Sequence, residues 1–276
     1  MLILLPPSET KAAGGAGPAL DLNALSFPTL TPVRSAILDD LSSLEVDDAL
    51  RVLGISGALR GEAEANRVLR DSATMPALER YTGVLYDALG AATLTLQDVN
   101  ARSRLAVGSA LFGVVRADDP IPRYRLSAGT KLPVRDAGAG AAVPTMKRRW
   151  GHLITQALQA TPDGSGDGVI VDLRSGGYQA LGKVPAWDAE TGTGAVTVRV
   201  ESVRPDGSRK VVSHFNKHYK GVLARALATA GADADAARTA SDIATIAAAS
   251  GLAVEINEPV GGQRSTTAKD TLTLVV

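Results

Sequence analysis

The chain has 276 residues, 45% hydrophobic and 21% charged, with 29 Lys+Arg balancing 29 Asp+Glu and a pI near 6.9. That length fits one large domain or two modest ones with a substantial core, and the neutral balance leaves any anion site to local clustering. The absence of cysteine excludes disulfides, thiol catalysis and cysteine-based zinc or iron–sulfur centres.

No apolar run approaches the ~18 residues of a membrane span. The first residues, MLILLPPSETK, lack a basic lead-in and are too short in apolar length for a signal peptide, so a soluble cytoplasmic protein is expected. Met1–Leu5 predicts a strand internal to a sheet, ended by Pro6-Pro7, and Ala12–Pro18 a small-residue loop. Val33–Leu44, Val46–Leu53 and Glu62–Arg70 carry helical periodicity, with Gly54-Ile55-Ser56-Gly57 as a break. Tyr81–Leu85 predicts a short strand or turn, Leu96–Ala106 a helix, and Val107–Val115 one apolar strand running into Arg116.

Beyond these, Val143–Ala160 predicts a helix carrying Lys147-Arg148-Arg149-Trp150, and Val169–Leu173 a strand. Asp163–Gly168 reads as a turn cluster. Ala195–Val203 and Lys210–Phe215 alternate around Pro205-Asp206-Gly207, the pattern of a hairpin. Lys217–Ala230 and Asp235–Ala249 predict helices, with strands at Leu252–Ile256 and Leu272–Val276. Interspersed strands and helices without repeat or long linker predict an α/β (mixed α+β) fold. The expectation is a single compact domain over 1–276 with a central mixed sheet flanked by helices.

The most chemical stretch is Leu111–Pro133, LFGVVRADDPIPRYRLSAGTKLP. Arg116, Arg123, Arg125 and Lys131 gather there around Asp118 and Asp119, on a loop stiffened by Pro120 and Pro122. Such guanidinium forks suit two-pronged bonds to phosphate or carboxylate, and equally suit internal Arg–Asp pairs. Other strands end at Arg174-Ser175 and at His214–Lys220, and open α/β sheets bind ligands beyond strand ends.

From Arg204 to Arg225 six Lys/Arg, among them Lys217 and Lys220, face the single acid Asp206. Either a solvated helix start or a held anion explains that imbalance. His214 and His218 stand at a metal-ligand spacing, but packing or anion contact accounts for them better, and no metal site is assigned. Asp172, Ser175 and Tyr178 carry no nucleophile-elbow spacing, and Gly176-Gly177 forms no phosphate-loop motif. Ala49–Arg70, inside a helix-hairpin-helix-like element over 44–70, places Gly54 and Ser56 where backbone amides can meet a DNA phosphate; a plain helical hairpin has the same pattern.

Taken together, MLILLPPSETK, RYTGVLYDALG, LFGVVRADDPIPRYRLSAG, RWGHLITQAL, VIVDLRSGGYQAL and SHFNKHYKGVLARAL resemble, in order and spacing, the peroxide stress protein YaaA family. The resemblance implies a cytoplasmic protein of the hydrogen peroxide response. Such a protein would limit iron-dependent oxidative DNA damage, binding DNA through a basic cleft and a helix-hairpin-helix element. The family's S-P-A-K-T stands here as Pro6-Pro7-Ser8-Glu9-Thr10 with lysine at Lys11, and a glutamate usual after the arginine pair is Ser127.

Two expectations follow. One is a DNA-binding groove formed by Arg116, Arg123, Arg125, Lys147, Arg148, Ser175, Lys217 and Lys220 with Gly54 and Ser56. The other is an enzyme for a nucleotide- or nucleoside-like anion in the same cleft, with Lys11 as nucleophile, Asp119 or Asp172 moving the proton and Tyr81 or Tyr178 against the base. No cofactor is expected, and an iron-sequestering role finds no carboxylate cluster to support it.

Overall fold

A computed structural model describes residues 1–138, 140–160, 168–185, 194–204, 206, 208–211, 215–257 and 270–276. Strand β1 (Leu2–Leu5) is buried at every position, as a strand covered on both faces requires. Helix α1 (Thr31–Ser42) turns Ile37, Leu38 and Leu41 to the core, and α2 (Val46–Leu53) and α3 (Arg60–Arg67) follow as a helical hairpin. A short strand β2 (Met75–Pro76) leads into α4 (Ala77–Arg80), α5 (Val84–Leu89) and α6 (Val99–Ser103). Strands β3 (Leu105–Ser109) and β4 (Gly113–Arg116) come next, then β5 (Pro120–Ile121), which pairs with β2.

The second half holds α7 (Met146–Trp150), α8 (Leu153–Gln159), β6 (Val169–Asp172), α9 (Gly176–Gln179), β7 (Gly194–Val203) and β8 (Arg209–Val211). It closes with α10 (Asn216–Ala228), α11 (Ala232–Ala236), α12 (Ala240–Ala249), β9 (Ala253–Asn257) and β10 (Asp270–Val275). The sheet order is β4-β3-β1-β6-β7-β10-β9, with β8 on β7. From β3 through β10 every neighbouring pair on this path is parallel; β4, β8 and β9 are antiparallel additions. The mixed α/β fold expected from the sequence is therefore observed, and both ends of the chain contribute to one hydrophobic core.

Several elements differ from their sequence reading, among them the helix expected over Leu96–Ala106, which is helical at Val99–Ser103 and gives way to β3 at Leu105. Val107–Val115 is two strands, because Gly113 at φ 72 reverses the chain and the Ser109 hydroxyl accepts the Phe112 N–H at 3.0 Å to close the turn. Tyr81–Leu85 is the approach to helix α5, whose buried Leu85, Tyr86 and Leu89 span too few residues to declare a helical period. Helix Val143–Ala160 starts later and is interrupted at Gly151, while Asp235–Ala249 splits before Thr239, where a capping box with Asp242 starts α12. Among the described residues no helix is long and apolar enough to cross a membrane.

Chain order makes β1 special. The chain leaves β1 for β3 on one side and later returns to β6 on the other, with Leu5 level with Val107 and Leu4 level with Asp172. The carboxyl ends of β1, β3 and β6 thus open onto one edge of the sheet at a point where strand order reverses, the usual place for a ligand crevice. Beneath that edge Asp172 and Arg174 form a fully buried pair, Nε–Oδ1 2.9 Å and Nη2–Oδ2 3.0 Å. Arg174 also donates to the Gly182 carbonyl at 2.9 Å.

Helices α5 and α10 approach so closely that a Cβ on Gly221 would lie 2.3 Å from the Leu85 carbonyl oxygen. Gly221→Ala is expected to destabilise by about 1–3 kcal/mol, the scale of overpacking, seen as a lower denaturant midpoint at unchanged slope. Asp172→Ala, which strands the Arg174 guanidinium in the interior, is expected to cost about 3–5 kcal/mol in the same measurement.

Candidate functional site

Pro6-Pro7 turns the chain across the ends of β1 and β3, and the next residues are tied down by their backbone. Lys11 bridges Tyr81, the Ala12 N–H donates to the Arg80 carbonyl at 2.9 Å, and Arg80 Nη1 donates to the Ala12 and Gly14 carbonyls at 2.6 and 2.9 Å. The Lys11 side chain is therefore aimed from a fixed base. Its Nζ lies 4.3 Å from the Tyr124 ring centroid and 5.3 Å from that of Tyr81, and donates to the Ser8 carbonyl at 3.0 Å.

An aromatic floor lies beneath it. The Tyr81 and Tyr124 hydroxyls are 2.7 Å apart, and the Tyr124 hydroxyl is 2.7 Å from Ser109 Oγ at the end of β3. Tyr86 stacks on Tyr81 at 5.7 Å and donates its hydroxyl to the Pro6 carbonyl at 2.9 Å, fastening the floor to the end of β1. Burial raises the pKa of Tyr81, Tyr86 and Tyr124, which keeps these phenols neutral. Burial also pulls the Lys11 ammonium from 10.5 down to about 8; Glu9 opposes the shift, Arg125 adds to it, and Glu62 and Arg123 act more weakly in opposite senses.

Those four charged groups form the walls. Arg125 Nη2 stands 3.0 Å from Glu9 Oε2, and Arg123 pairs with Glu62 of α3. Asn66, also on α3 and fully buried, donates to the Arg125 carbonyl at 2.8 Å and accepts the Arg125 N–H at 2.9 Å. The α2–α3 hairpin is thereby docked on the loop that carries both arginines. Tyr178 completes the rim: burial raises its phenol pKa, Tyr124 and Glu9 add to that shift, and Arg125 opposes it.

Lys11, Arg123, Arg125, Tyr81 and Tyr178 are thus brought together. Other expected residues stand elsewhere. Asp119 is buried, accepting both the N–H and the hydroxyl of Ser26 (3.1 and 2.7 Å) and the Arg116 N–H (2.9 Å), so it organises the arginine loop. Burial raises its pKa, against the pull of those bonds. The Arg116 side chain leaves the site, donating to the Ser103 carbonyl at 2.7 Å with its guanidinium 5.6 Å from the Phe27 ring.

Asp172 is committed to Arg174, and Lys220 is buried with Nζ donating to the Leu173 carbonyl at 3.0 Å. Burial lowers the Lys220 pKa and Asp172 partly restores it. Ser175 is exposed before α9, where its carbonyl accepts the Tyr178 and Gln179 N–H groups at 2.9 Å each. Lys147, Arg148 and Lys217 are exposed on α7 and α10, and Lys131 is exposed on the loop.

At the hairpin tip Gly54 is left-handed, and Gly54 and Ser56 are exposed. The hairpin's arginines are paired: Arg51 with Asp48, Arg60 with Asp47 and Glu64, Arg67 with Glu45. His214, the 163–167 turn cluster, and Pro205 and Gly207 of the hairpin turn lie outside the described residues.

Glu62, Asn66, Arg80 and Ser109 were not legible as site residues. Glu62 and Asn66 share a face of α3 by their spacing of four, a signal that any solvated helix also carries. A hollow of about 250 Å³ lies apart from this site, lined by Asp39, Arg67, Arg70 and Arg135 among others. Its cations are already paired with Asp39, Glu45 and Asp136, so it offers an anion little.

The sequence model of a family described as "Peroxide stress protein YaaA" matches residues 1–252. A UPF0246 protein of Corynebacterium efficiens is 61% identical over the whole length of both chains, and one of Corynebacterium glutamicum 56%. A UPF0246 protein of Streptomyces coelicolor is 44% identical over 84% of each chain. With the match spanning strands β1 to β8, the helical hairpin and the strand-end site alike, this chain belongs to the peroxide stress protein YaaA family.

Proposed function

We propose that the protein acts in peroxide stress by binding DNA across the helical hairpin and the strand-end site, shielding it from iron-dependent oxidation. The stress role is supported by the family to which the chain belongs. The DNA reading is carried by one observation: buried Asn66 couples α3 to the backbone of Arg125, so hairpin and cationic loop move as one surface. The Ser56 and Gly57 backbone amides at the exposed tip would meet phosphates, while Arg123, Arg125 and Lys11 would receive a neighbouring one.

A labelled duplex titrated in fluorescence anisotropy is expected to bind with an affinity that falls steeply with salt. Ser56→Glu at the hairpin tip, and separately Arg123→Ala with Arg125→Ala, should each weaken binding about tenfold, the scale of one lost charge-assisted hydrogen bond. Affinity left unchanged in both variants overturns this reading.

A second reading is favoured by a specific observation. Arg123 and Arg125 are each engaged by a carboxylate and converge on one lysine above an aromatic floor, a compact arrangement rather than a long trough. That geometry suits a nucleotide-like small molecule, its phosphate exchanging with Glu9 on Arg125 and its base lying against tyrosine. Calorimetry with a nucleoside monophosphate tests it.

The sign with pH follows from Lys11. Its ammonium attracts the phosphate below pH about 8 and is lost above, so affinity should fall through that range in the wild type and stay flat in Lys11→Met. No heat with the nucleotide at any pH removes the small-molecule reading and leaves the duplex experiment standing.

A further inference from the structure

Lys11 has one hydrogen-bond acceptor, the Ser8 carbonyl, for three donor positions. The two nearest carboxylates are already occupied, Glu9 by Arg125 and Glu62 by Arg123. The amine is partly buried, rests on two phenol faces and is aimed by a backbone clamped through Tyr81 and Arg80. A lysine needed only for charge gains nothing from a site that disfavours its charged form; a lysine that works as a neutral amine gains its nucleophile from that burial.

We propose that Lys11 captures an aldehyde borne next to a phosphate, forming an imine within the anion site. This deepens the anion-binding reading above and rests on it. The Lys11 nitrogen lone pair forms the N–C bond while the carbonyl π pair moves to oxygen, which takes up a proton to give a carbinolamine. Loss of water then leaves the protonated imine, so amine plus aldehyde balances imine plus water with no oxidant or reductant. Arg125 is placed to hold the phosphate, and the Glu9 carboxylate beside it to relay the proton. Aldehydes of this kind occur as free sugar phosphates and as the open sugar of an abasic site in DNA.

The experiment incubates the full chain with 2-deoxyribose 5-phosphate, or with a duplex carrying one abasic site, and fixes any imine with cyanoborohydride. Intact mass and peptide mapping then locate the adduct. Expected is one adduct on Lys11, formed faster as pH rises through about 8, and absent from Lys11→Arg, whose melting temperature checks that it is folded. At neutral pH the drop from 10.5 to about 8 gives Lys11 a free-amine fraction roughly three hundred times that of an ordinary lysine.

Faster trapping by the abasic duplex identifies DNA as the source, and faster trapping by the sugar phosphate identifies a small molecule; either supports capture. An adduct spread over Lys131, Lys147 and Lys217, or undiminished in Lys11→Arg, overturns it. Binding falls as pH rises whereas trapping grows, so duplex or nucleotide binding without trapping sinks this inference alone.

Discussion

The parallel register of β1 with both its neighbours is the constraint on which the site depends. Because Leu5 lies level with Val107 and Leu4 with Asp172, three chain segments leave the sheet at one edge by their carboxyl ends. The Pro6 carbonyl then receives Tyr86, Ser109 receives Tyr124, and the Leu173 carbonyl receives Lys220. A shift of register by a single residue would send the core-facing side chains of β1 to the opposite face and separate these three anchors.

A set of arginines in this molecule is turned inward. Arg34 is fully buried and donates to the Phe112, Ser26 and Val114 carbonyls at 2.7–2.9 Å. Arg80 does the same for the Ala12–Gly14 loop, and Arg149 joins Asp40 and the Leu132 carbonyl at 2.6 and 2.7 Å. A guanidinium has five donors in a flat, weakly hydrated fork, so it can replace its water with several loop carbonyls at once. These arginines hold loops in place, while Lys131, Lys147, Arg148 and Lys217 stay exposed.

Lys11 meets its surroundings differently from these arginines. An ammonium is compact and strongly hydrated, and burying it penalises its charge, a penalty that the phenol faces and Glu9 offset only in part. Position, not composition, separates it from the other lysines: a proline turn, a backbone bridge to Tyr81 and the Arg80 clamp hold it there. The docked hairpin encloses the same spot through Glu62 and Asn66, so Lys11 and the helical hairpin share a rim.

The α/β class, the continuously buried β1, the hairpin and the arginine loop were all legible in the sequence, because local periodicity, proline stiffening and run length are properties of neighbouring residues. Lys11, Arg125 and Tyr178 were legible as chemical types worth watching. Which acids meet which cations was not. Asp119 went to Ser26, Asp172 to Arg174 two residues away, and Glu62 to an arginine sixty-one positions on, none of which spacing reveals. Pairings of that kind are decided by sheet order and helix docking, which act across the fold and leave no local mark, so the sequence by itself determined the family and most of the elements, while the tertiary structure alone placed Lys11 on the phenol faces between two arginine–carboxylate pairs.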